Sequence, residues 1–178
     1  MKFSIKTAAI SFALLAGSIS VANAAGQGEG RVNFLGSIHD GACSISPETV
    51  DQSVNLGAIS KKKLEDGGRT EGEEFRIELE GCDVAALTDK TVTATFTGTS
   101  DPMIPGSLAL AGAASGAGIF MEHGGETVEL GKPTNPQLIQ DGNNTMIFSA
   151  YVQGAAAGTV PVVSGAFTAV TNFTLAYQ

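Results

Sequence analysis

The chain has 178 residues, with 10 basic against 18 acidic side chains, a formal charge of −8, 23 glycines and no tryptophan. An acidic chain whose one basic run is Lys61-Lys62-Lys63 is poorly suited to nucleic acid or an anionic membrane, since both demand clustered positive charge. Two cysteines and two histidines, His39 and His123, with no second ligand at metal-site spacing beside either cysteine, argue against a zinc centre.

Residues 1–24, MKFSIKTAAISFALLAGSISVANA, read as a targeting segment. Lys2 and Lys6 precede an apolar run from Ala8 to Val21, too short to cross a bilayer comfortably, and Ala22-Asn23-Ala24 is an A-x-A cleavage signal. Cleavage would leave 154 residues from Ala25 and, with both lysines gone, move the charge from −8 to −10. That length suits one domain burying roughly 70% of its extended-chain surface. Export implies an oxidising compartment, so Cys43 and Cys82 read as one disulfide. Closing that loop would stabilise the fold by about 4 kcal/mol on the chain-entropy model.

Residues 25–40 form an extension ahead of a domain over 41–178. Within it Val32, Phe34, Gly36 and Ile38 fall on one face, against Arg31, Asn33, Ser37 and His39 on the other, with Leu35 breaking the pattern. Period-2 alternation predicts a half-buried β-strand, and leaves open which sheet buries its apolar face. Downstream, Ser53–Ile59 alternates, as do Phe75, Ile77 and Leu79 up to Cys82, and Val92, Ala94 and Phe96. Shorter candidates are Leu108 and Leu110, Ile119–Met121, and Val128 with Leu130. The small-residue patch from Ala109 to Gly118 predicts a flexible loop or a weak edge strand. After Asp141-Gly-Asn-Asn144 comes a stronger run over 145–153, and Ala166–Gln178 closes the chain with Phe167, Ala169, Phe173, Leu175 and Tyr177 on one face. Many short strands at this spacing predict a β-sandwich. The sequons at Asn143 and Asn172 read as chance matches, the second lying inside a strand pattern. A strand pattern at each end leaves a sheet short of a neighbour.

G-x-V-x-F-x-G-S-I ahead of C-S-I, L-G-x-I-S at Leu56–Ser60, L-E-D-G-G at Leu64–Gly68, F-R-I-E-L-E-G-C at Phe75–Cys82, D-G-N-N before a strand, and the close A-F-T-A-V-T-N-F-T-L-A-Y-Q occur together and in order. In these features the chain resembles the major structural subunits of chaperone–usher pili, of the P-pilus and type 1 kind. The resemblance implies an incomplete immunoglobulin-like sandwich that lacks its last strand. It also implies export through the periplasm of a Gram-negative bacterium to a surface pilus, with a periplasmic chaperone and an outer-membrane usher as partners. Identical subunits would join head to tail by donor-strand exchange. By position, Gly30, Val32, Phe34, Gly36 and Ile38 match the donor positions, with Gly36 where a side chain would meet the groove floor. Phe167, Ala169, Phe173, Leu175 and Tyr177, partnered by Phe75 and Ile77, would line the acceptor groove, and the carboxylate of Gln178 would anchor the chaperone. No cofactor, metal or small-molecule substrate is implied.

Three other readings bear comparison. The acid pairs Glu73-Glu74 and Glu78/Glu80 read as a solvated strand face, and no nucleophile stands beside either histidine, so catalysis is not expected. A tip adhesin would need a receptor-binding domain, for which the short extension before Cys43 has no room. A minor adaptor subunit would share the fold and both interfaces, and a secreted, self-complete binding sandwich would pair its N-terminal strand within its own chain.

Overall fold

Alternating apolar residues punctuated by Gly- and Asn-rich breaks make short strands, and the computed structural model, which describes residues 30–178, is built almost wholly of them. It divides into a unit ending at Ile38 and one running from His39 to Gln178. The targeting segment expected over 1–24 lies outside the described residues. Residues 30–38 adopt no strand, despite their alternation, and Phe34 is 91% exposed. A strand forms only where its N–H and C=O groups have partners, and a period of two cannot supply them by itself.

The second unit contains β1 (Ser44–Ile45), β2 (Glu73–Cys82), β3 (Thr91–Gly98), β4 (Leu108–Ala109), β5 (Ala111–Gly112) and β6 (Ala117–His123). It continues with β7 (Glu126–Thr127), β8 (Gln137–Leu138), β9 (Gly142–Gly154), β10 (Phe167–Thr168) and β11 (Thr171–Tyr177). The three lysines open a single helical turn, α1 (Lys61–Leu64). The larger sheet runs β1-β2-β9-β6-β4, with β7 on β6; the smaller is β11-β3-β8, and β10 pairs with β5. Every pairing is antiparallel.

Local chemistry sets the corners. The β6–β7 hairpin turns through Gly124 and Gly125, at φ of 59° and 84°, the left-handed pair that a two-residue turn of matching twist requires. In β2 the register shifts between Leu79 and Cys82 around Gly81, whose φ is 59°, and the bulge leads the strand end to the Cys43–Cys82 disulfide.

The core lies between the sheets. Ile77 and Leu79 of β2 and Met146, Phe148 and Val152 of β9 meet Val92, Ala94 and Phe96 of β3, all of them buried. Phe96 packs edge-on to Phe148 at 5.0 Å, and Phe75 stacks on Phe148 at 5.3 Å. Burying each large side chain is worth roughly 1.5–3 kcal/mol.

The elements depart from expectation in three further places. Ser53–Ile59, read as a strand, forms none. The closing segment breaks at Ala169–Val170 into β10 and β11. Val128 and Leu130, read as a short strand, lie just past β7 and form none. The small-residue patch meets its expectation as weak edge strands, supplying the end of β4, all of β5 and the start of β6. Its small side chains permit close approach: a Cβ on Gly118 would stand 2.6 Å from that of Ser107.

Candidate functional site: an open edge beside the last strand

The smaller sheet carries three strands where the larger carries six, so part of the larger sheet's inner face has no roof. β11 is the strand at that boundary. Its far neighbour, β3, is fixed in register from Thr171↔Gly98 to Tyr177↔Val92. Gln178 and Thr91 exchange both backbone bonds, each at 3.0 Å. In an antiparallel ladder bonded pairs alternate. The N–H and C=O of Thr171, Phe173, Leu175 and Tyr177 therefore point away from β3, toward the side where, among the described residues, β11 has no strand beside it. The side chains of those same residues are half-buried.

Along this edge lies a cleft of about 1090 Å³. One wall is Val50–Ile59, the other Val162–Phe173, and Phe75, Phe96, Met121 and Val152 reach its floor. The Val50–Ile59 wall explains the missing strand: among the described residues Asp51–Ile59 make no backbone–backbone hydrogen bonds, although their apolar alternation is that of a strand. β11 and Asp51–Ile59 thus both leave backbone groups without backbone partners beside the same gap. The floor is apolar, and no group of metal-ligating side chains occurs among the described residues.

Of the residues expected to line an acceptor groove, Phe75, Phe167, Ala169 and Phe173 do meet at the cleft. Leu175 and Tyr177 continue the β11 wall past its end, partly buried against the core. Ile77 is fully buried and belongs to the closed core beneath. Sequence reasoning missed the floor residues Phe96, Met121 and Val152 and the wall at Val50–Ile59, whose Ser53–Ile59 alternation was the available signal.

Tyr177 marks one end of the edge. Its ring packs against Gly41, where an added Cβ would stand 3.0 Å from Cε2. Its hydroxyl is buried without a hydrogen-bond partner among the described residues, and burial pushes the phenol above its ordinary value. Gln178 beyond it is exposed.

A sandwich short of one strand, with an apolar cleft in its place, has counterparts among known proteins. The sequence model described as Fimbrial protein matches residues 32–178. The chain belongs to the fimbrial protein family. It is 48% identical to the Fimbria A protein of Serratia marcescens over 91% of this chain and 92% of that one. It is 44% identical to the Major MR/P fimbria protein of Proteus mirabilis, over 95% and 94%. Among solved structures it resembles the P pilus rod subunit PapA, with a TM-score of 0.70 and 32% identity over 78% of this chain and all of that one. A subunit from a chaperone–usher pilus structure concerned with rod uncoiling gives a TM-score of 0.75 and 35% identity, over 85% and 97%. The fold is accordingly the immunoglobulin-like sandwich of pilins. This fimbrial protein is a structural subunit, exported through the periplasm of a Gram-negative bacterium to a surface pilus.

Proposed function

We infer that the subunit polymerises by strand donation: residues 30–38 of one copy fill the cleft of the next. The observation that carries this reading is the double open edge, β11 and Asp51–Ile59, along one cleft with an apolar floor. Strand addition supplies main-chain bonds, and alternate side chains fill the pockets.

The directions fit donation in trans. A strand added antiparallel to β11, as every pairing in this fold is antiparallel, has its C-terminal residues at the Ala169 end. The chain's own extension joins the domain at Gly41, beside Tyr177, at the opposite end. From Gly41 to Ile38 the backbone spans at most about 10 Å, whereas Tyr177 to Ala169 is about 26 Å of strand. Its own Ile38 falls short; a neighbour's does not. Five inward positions, Gly30, Val32, Phe34, Gly36 and Ile38, match five on the acceptor, with Gly30 opposite Tyr177 and Ile38 opposite Ala169. The contact is heterologous and builds an open filament, the shaft of a pilus.

Before assembly the cleft needs cover. A periplasmic chaperone lending its own strand would supply it, gripping the carboxylate of Gln178, and an outer-membrane usher would exchange that strand for the next subunit's extension. The support for these partners is the family, together with the aggregation hazard of an open apolar edge.

The test is a detergent gel of sheared surface fibres. Unboiled wild type gives a ladder of multiples that collapses on boiling. Gly36→Asn places a side chain against the cleft floor and abolishes the ladder, leaving subunit in the periplasm. A ladder unchanged by Gly36→Asn, or a wild-type monomer without boiling, overturns strand donation.

A further inference from the structure

An aspartate followed by glycine occurs three times, at Asp40-Gly41, Asp66-Gly67 and Asp141-Gly142. Glycine has no Cβ to shield its nitrogen or restrict its backbone. That nitrogen can therefore reach the carboxyl of the aspartate before it and close a five-membered succinimide ring. The fold treats the three pairs differently. Asp141 is tied down, its Oδ1 accepting the Val84 N–H at 3.0 Å, and Gly142 opens β9. Asp66 and Gly67 are wound into the tight turn Glu65–Gly67, at φ of 57° and 82°. Asp40 and Gly41 are exposed and lie in no strand or helix.

A second feature singles out the first pair. The Gly41 N–H donates to His39 Nδ1 at 3.1 Å. The accepting nitrogen is unprotonated, which puts the proton of the neutral ring on Nε2. A Cβ on residue 41 would stand 2.9 Å from that same Nδ1, so the contact depends on the glycine. An imidazole acceptor thus sits on the one N–H whose proton must leave for the ring to close, next to the carboxyl that the nitrogen would attack.

We propose that Asp40 is a site of spontaneous isoaspartate formation, with His39 as its general base. In the first step Gly41 N bonds to Cγ of the protonated Asp40 carboxyl, and the N–H proton passes to His39 Nδ1. The bond from Cγ to the hydroxyl oxygen breaks, the imidazolium returns the proton to that hydroxyl, and it leaves as water. In the second step water adds to the main-chain carbonyl carbon of Asp40. The bond from that carbon to Gly41 N breaks, and the nitrogen stays on Cγ. One water leaves and one enters, so an exported chain needs nothing but solvent for the reaction. The product has one more carbon in its main chain, at the joint between the extension and the domain, and carries the α-carboxylate as a branch.

Sheared fibres incubated in water enriched in heavy oxygen test this, because every ring that opens takes up one oxygen from solvent. Digestion and electron-transfer fragmentation then locate label and isoaspartate at each of the three pairs, against a sample digested at zero time. The expected result is that Asp40 gains both well ahead of Asp66 and Asp141. His39→Ala changes an exposed side chain and should slow the gain at Asp40 about tenfold, less than the roughly 10²-fold of a base fixed in an active site. The other two pairs should be unaffected, and added imidazole should restore part of the lost rate. Equal gain at all three pairs, or none at Asp40, overturns the site. An unchanged rate in His39→Ala overturns the role of the imidazole.

Discussion

Phe34→Ala is the substitution in which the strand-donation argument is most exposed. Phe34 is 91% exposed in the free chain, so nearly all of its side-chain surface is available for burial when the extension docks. Opposite Phe173, its ring would join the aromatic cluster in which Phe173 already lies 6.1 Å from Phe96 and Phe96 5.0 Å from Phe148. Removing that burial should cost roughly 1.5–3 kcal/mol. Interface losses fall mostly on the dissociation rate, and each 1.4 kcal/mol is a factor of ten, so subunits should separate about 10- to 150-fold faster. The assay follows decay of the unboiled ladder with time at a fixed temperature in detergent. Asn33→Ala, one residue along and on the opposite face, is the control and should leave the decay unchanged. Equal damage from the two variants would refute the inward–outward alternation on which the donor assignment stands, and a Phe34→Ala ladder as durable as wild type would refute burial of the ring.

Replacing both Cys43 and Cys82 with Ser removes a cross-link over a sequence separation of 39, and should lower stability by about 4 kcal/mol on the chain-entropy model. Periplasmic yield and the urea midpoint of the chaperone-bound subunit report it, and an unchanged midpoint would contradict it. Tyr177 predicts an alkaline limit: the unfolded phenol ionises near 10.0 and the folded one above it, so the folded chain holds its proton longer. Its contribution is full below the unfolded value and is lost as pH rises past about 10. Tyr177→Phe should therefore flatten that part of the decline in denaturation midpoint; an identical decline in both proteins would remove Tyr177 as its source.

The long strands were legible because their side chains carry the evidence. Phe75, Ile77 and Leu79, and again Val92, Ala94 and Phe96, alternate with polar residues, and such runs become β2 and β3 whatever else the chain does. The Cys43–Cys82 pairing was equally plain from a count of two in an exported chain. Other features depended on contacts far apart in sequence. Ser53–Ile59 has a strand's alternation and forms no strand, because the neighbour that would bond to it is missing from its own chain. Ile77 and Phe75 look equivalent in sequence, yet one is sealed in the core and the other reaches the cleft, a difference set by which parts of the larger sheet the smaller one roofs. By itself the sequence determined the long strands, the disulfide and an apolar face at each end, since these follow from side-chain chemistry and period. Only the tertiary structure decided that β11 is left with an open edge among the described residues and that Asp51–Ile59 lines the cleft beside it, because pairing is a property of the folded backbone.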